Sequence, residues 1–82
     1  MSWLGVLALA QREPALAYEN LDHYDRLLPG DAGVTFLKGV SLEGMGRQKE
    51  AASQYAAYLR VSRQGKAAEY SQSRLKSWGY LK

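Results

Sequence analysis

Eighty-two residues, 46% apolar and 23% charged, suit one small globular domain and lie far from the low-hydrophobicity, high-charge composition of disorder. The chain has no cysteine, which excludes disulfide staples and thiolate metal sites and leaves packing as the source of stability. The formal net charge of +3 is unevenly spread: residues 1–59 carry five basic and seven acidic side chains, whereas residues 60–82 carry six basic ones against Glu69 alone.

The first element is expected over residues 2–11, "SWLGVLALAQ". It lacks a basic leader and its apolar run is about eight residues, which argues for an amphipathic or buried helix over a targeting signal. No segment approaches the roughly 18 apolar residues needed to span a bilayer, so a soluble protein is expected. Glu13-Pro14 opens a second helix over 14–28, because proline at the first helical position gives up no internal hydrogen bond. Leu28-Pro29-Gly30-Asp31 then reads as stop, turn and N-cap, with Asp31 accepting from the free amides of a third helix over 32–45. Gly46, Gly65 and Gly79 follow periodic segments and are expected as left-handed C-terminal caps, which closes a fourth helix at 48–62 and a fifth at 66–78. No piece reads as a strand, and the expected class is all-α with about five helices.

Periodicity within these pieces separates their roles. In the fourth, Ala51, Ala52, Tyr55, Tyr58, Leu59 and Ser62 form one stripe, leaving Gln48, Lys49, Gln54 and Arg60 towards water. In the third, Val34, Phe36, Leu37, Val40, Leu42 and Met45 point in most directions around the axis, as expected of a central helix. The stretch "GMGRQKEAASQY" between them is a hairpin bend, with Gly46 ending one helix and Gly44 loosening its last turn or permitting close backbone approach.

Sliding the chain by 34 residues superposes Gly5 on Gly39, Val6 on Val40, Ala17 on Ala51, Tyr24 on Tyr58 and Arg26 on Arg60. A glycine in the first helix of each pair and an alanine in the second would let the two axes approach closely. Together with "GRQKEAASQY" opening a second helix and a proline-bearing turn between units, this period resembles the tetratricopeptide repeat family of bacterial type. Gly39, Leu42, Gly46, Glu50, Ala51, Tyr55 and Leu59 match its pattern best. Lys38, Tyr24, Tyr58 and Arg63 depart from it, standing where the family prefers leucine, alanine, alanine and a turn proline. The resemblance implies a single domain, 1–82: repeat one about 1–31, repeat two about 32–65 and a capping helix about 66–78, stacked as antiparallel helix hairpins in an α-α superhelix.

It also implies a non-catalytic scaffold that binds a protein or peptide segment in a concave groove lined by the first helix of each unit. The groove-facing candidates by this resemblance are Phe36, Val40 and Glu43, with Tyr70, Arg74 and Ser77 on the closing helix. Such repeats are often modules of larger bacterial envelope factors or proteases, so this chain is read as a possible C-terminal module, cytoplasmic or envelope-associated.

Chemistry-bearing constellations are absent from this reading. His23 is the sole histidine, and Glu19, Asp22 and Asp25 near it are expected to spread over a polar helix face without metal-ligand spacing. No serine has a partnering base and no glycine-rich phosphate cradle follows a strand, so neither enzyme nor cofactor is expected. Among the aromatics, Phe36, Tyr55 and Trp78 are expected in the core, while Tyr70 shares a face with Lys66 and Arg74. Two alternatives accompany the scaffold reading: nucleic-acid binding by the basic closing segment with Tyr70, Trp78 and Tyr80 interleaved, and weak homodimerisation through Trp3, Leu4, Leu7 and Leu9 of the first helix.

Overall fold

The computed structural model describes residues 3–81; the side chain of Trp3 and the expectations placed on Met1, Ser2 and Lys82 lie outside it. The described chain is all-helical: α1 Trp3–Arg12, α2 Pro14–Leu27, α3 Ala32–Gly44, α4 Gln48–Val61 and α5 Lys66–Ser77. Each expected helix is present with boundaries within a residue or so of those inferred from punctuation. Pro14 occupies the first turn of α2, and the Asp31 carboxylate caps α3, accepting from Gly33 N at 2.8 Å and Val34 N at 3.4 Å.

The glycine caps divide into two kinds. At Gly46 (φ +77°) the chain makes a Schellman turn: Arg47 N donates to Leu42 O at 2.9 Å and Gly46 N to Glu43 O at 3.0 Å. Gly79 (φ +84°) repeats it on α5, Tyr80 N reaching Leu75 O at 2.8 Å. Gly65 is a correction to the expected cap of α4. That helix ends at Val61 with Ser62 already extended, and the left-handed Gly65 instead stands directly before α5, where it turns the chain into the next helix. A Cβ at Gly46 meets nothing within 4 Å, so Gly46→Leu is strained by backbone conformation alone. The substitution should destabilise the domain by roughly 1 kcal/mol or more; an unchanged melting temperature would contradict the cap.

α3 is the central helix, packing against α1, α2 and α4. Its residues 36–42 are all buried, as its all-round apolar pattern requires. Antiparallel pairing with α4 follows from the contact order: the Phe36 ring lies 5.4 Å from that of Tyr58, while Gly39 faces Tyr55. A Cβ built at Gly39 would fall 2.7 Å from Tyr55 Cε1. The close approach there is thus backbone against an aromatic ring, where a glycine–alanine pair was expected. At Gly44, the second close approach, a Cβ would fall 2.9 Å from Pro14 Cβ and 3.3 Å from Ala10 O, so this glycine lets α3 touch the α1–α2 corner.

Lys38 explains its own departure from the leucine expected at its position. Its ammonium, 9% exposed as a residue, donates to Asp22 Oδ1 at 3.1 Å and Asp25 Oδ2 at 3.4 Å, with the Tyr18 ring 5.5 Å away. Asp22 and Asp25 therefore turn towards α3, not over an outward polar face, and Arg26 at 2.7 Å shares Asp22. Burial pulls the Lys38 ammonium down, but the Asp22 hydrogen bond and the two carboxylate charges outweigh it and hold its pKa above the ordinary value. The same hydrogen bond holds the Asp22 carboxyl below its ordinary value. A cation on two carboxylates replaces apolar packing at the α2–α3 seam.

Candidate functional site

The contacts set the directions of α1, α3 and α5. Leu7 and Gln11 line a cleft with Phe36 and Val40, only Gln11 continues along the wall to Glu43 and Gly44, and the Ala10 carbonyl lies against Gly44. On the other side, Phe36 and Val40 share a cleft with Lys66, Ala67 and Tyr70, and Glu43 reaches Arg74. Rising residue numbers run together in each case, so the three helices are parallel. Helices α2 and α4 run opposite: Pro14 meets Gly44 while Asp22 and Asp25 meet Lys38.

A cleft of about 300 Å³ crosses the face formed by α1, α3 and α5. Leu7, Phe36, Val40, Ala67 and the Tyr70 ring make its apolar wall, and Gln11 and Lys66 supply the polar groups. Of the residues expected to face a groove, Phe36 and Val40 are therefore lining but mostly buried, each offering an edge, whereas Tyr70 is 40% exposed. Ser77 is exposed at the end of α5. Leu7, Gln11 and Ala67 were not expected on this face. Their signal was the i, i+4 spacing of Leu7 and Gln11, which becomes readable only once α1 is known to lie parallel to α3.

Glu43 organises the polar end of the cleft. Its Oε1 accepts from Tyr55 Oη at 2.7 Å and Tyr70 Oη at 3.4 Å, and its Oε2 takes Arg74 Nη2 at 2.7 Å. The Arg74 guanidinium also lies 5.0 Å from the Trp78 ring centre. Its buried Nε has no hydrogen-bond partner among the described residues. Glu43 and Arg74 thus neutralise one another and tie α3 to α5. Burial, followed by the Glu43 hydrogen bond and charge, pushes the Tyr55 phenol far above the usual tyrosine value. Tyr70 moves the same way, again from burial first and the Glu43 charge second. Both rings are neutral donors across the physiological range.

The rings beneath the cleft form one cluster: Phe36 lies 5.8 Å from Tyr55 and 5.8 Å edge-on from Tyr70, and Trp78 stacks on Tyr55 at 6.0 Å. Phe36 and Tyr55 are core residues as expected, and Trp78 packs against the core. His23 is exposed on α2. Among the described residues, no group of three or more His, Cys, Asp or Glu side chains stands close enough to hold a metal ion. None of the described helices is long and apolar enough to cross a membrane. Comparison with known proteins finds no family model, no curated protein and no solved structure that matches the chain.

Proposed function

We propose that this chain is a non-catalytic interaction module of the tetratricopeptide kind, taking a protein or peptide segment along the face of α1, α3 and α5. The observation that carries this reading is the apolar cleft shared by three parallel helices, with polar groups at its margins. Parallel first helices, with the antiparallel α2 and α4 behind them, support the repeat reading in which 1–31 and 32–65 are units and α5 closes the stack. A bound segment would place an apolar side chain against Phe36, Val40 and Tyr70. Glu43 and Arg74 act by holding Tyr70 and α5 in place more than as free charges, because each already satisfies the other.

The Tyr70 ring is 40% exposed towards the cleft and packs edge-on against Phe36 and Tyr55, so its removal costs some stability as well as the proposed contact, and binding is compared at a temperature where each variant is folded. Tyr70→Ala, alone and with Arg74→Ala, should weaken a partner recovered from the native source by tenfold or more while the helical circular dichroism spectrum is retained. Undiminished capture of the same partner by the double variant would sink the site assignment.

A further inference from the structure

We infer that one end of the helix stack docks on an anionic lipid bilayer surface. Because α1, α3 and α5 run one way and α2 and α4 the other, one end collects the start of α1, the α2–α3 connection and the α4–α5 connection. The four most exposed large apolar side chains described all lie there: Leu4 (73% exposed) opens α1, Leu27 (66%) and Leu28 (60%) end α2, and Val61 (72%) ends α4. They come from three separate stretches of sequence and fall at the same end of the stack only through the up-down packing. No local helix periodicity accounts for them, since each sits in the first or last turn of a helix or just beyond it.

The charge at this end matches the same occupant. The last turns of α2 and α4, the two connections and the first turn of α5 carry Arg26, Arg60, Arg63 and Lys66 against Asp25, Asp31 and Glu69. Asp31 is turned inward onto the α3 amides, Asp25 is held by Lys38 and Arg26 by Asp22, so the charges without an ion-pair partner at this end, among the described residues, are Arg60, Arg63 and Lys66 against the single exposed Glu69. Protruding aliphatic tips ringed by basic side chains fit the two layers of an anionic membrane surface: leucine and valine enter the headgroup–acyl boundary while arginine and lysine meet the phosphates. Nucleic acid would use the cations but leave the four aliphatic tips in water, and stacking there would call for aromatic rings.

The test uses the full chain and sedimentation with vesicles of phosphatidylcholine alone or with about 30% phosphatidylglycerol. Retention on the anionic vesicles only is expected, weakening as salt is raised. Leu27→Ser/Leu28→Ser and Arg60→Glu/Arg63→Glu should each reduce partitioning tenfold or more, with the helical spectrum unchanged because all four positions are exposed. Failure to bind anionic vesicles would overturn the inference. So would loss in the arginine variant with none in the leucine variant, which would mark adsorption by charge alone. Tighter binding of the protein to a single-stranded oligonucleotide than to the vesicles, insensitive to the leucine changes, would reassign the end to nucleic acid and likewise overturn it. None of these outcomes bears on the cleft of α1, α3 and α5, whose variants are separate.

Discussion

Gly39→Ala should lower the thermal midpoint even though alanine is the better helix former by about 1 kcal/mol. The new methyl carbon would sit 2.7 Å from Tyr55 Cε1 and 2.9 Å from Cδ1, closer than carbon atoms approach without something moving. The ring has nowhere to go. It is fully buried, its hydroxyl is held by Glu43, and Phe36, Tyr70 and Trp78 surround it. The helices must part, and overpacking of this kind costs about 1–3 kcal/mol. Less the roughly 1 kcal/mol that alanine gains as a helix former, the net loss is up to about 2 kcal/mol, a fall of up to about 8–16 °C for a domain of this size. The same substitution made in a Tyr55→Leu background should be far less damaging, because the atom it collides with is gone. Equal penalties in both backgrounds would show that the glycine serves some purpose other than admitting the ring.

Tyr55→Ala is expected to have the largest effect of any single change. Tyr55 is the largest fully buried side chain and stands where α3, α4 and α5 meet. Truncating a buried aromatic costs about 3–5 kcal/mol, against a typical total of about 5–15 kcal/mol for a domain. Chemical denaturation should place the variant at or near the edge of folding at 25 °C. Tyr55→Phe separates packing from hydrogen bonding: it keeps the ring and loses the bond to the Glu43 carboxylate, worth about 1.5–3 kcal/mol.

The phenol also gives a pH signature whose sign is fixed. Tyr55 ionises in the unfolded chain near its ordinary value of 10.0, but its folded pKa is raised by burial and by Glu43. Above about pH 10 the unfolded state therefore binds fewer protons, so stability falls as pH rises. Tyr70 contributes in the same direction, as does Lys38, whose raised pKa makes its stabilisation fade as pH rises from the ordinary lysine value of 10.5 through the folded one. Urea midpoints measured from pH 8 to 11 should decline, and less steeply in Tyr55→Phe. A flat profile in the parent protein would contradict burial of the hydroxyl.

Helix number and boundaries were legible in the sequence because the signals that carry them are local. Proline at the start of α2, an aspartate before α3 and glycines after α3 and α5 act on backbone groups within a few residues. The all-round apolar pattern of α3 marked it as central for a similar reason, since it records how many sides are covered without naming what covers them. Gly65 marks the limit of such reading. Its left-handed conformation was legible, but whether it closes α4 or precedes α5 depends on where Ser62 leaves the helix.

The partnerships were decided by tertiary structure alone. Nothing in the spacing of Asp22 and Asp25 says that they receive a lysine 13–16 residues away, and a lone Glu43 does not announce two tyrosines and an arginine. Leu7 joins Phe36, Val40 and Tyr70 in one cleft only because α1, α3 and α5 run parallel. The exposed Leu4, Leu27, Leu28 and Val61 share one end for the same topological reason. Local backbone chemistry determines where each helix starts and stops; which faces and ends are brought together depends on distant parts of the chain burying apolar area against one another, and no window of sequence contains that.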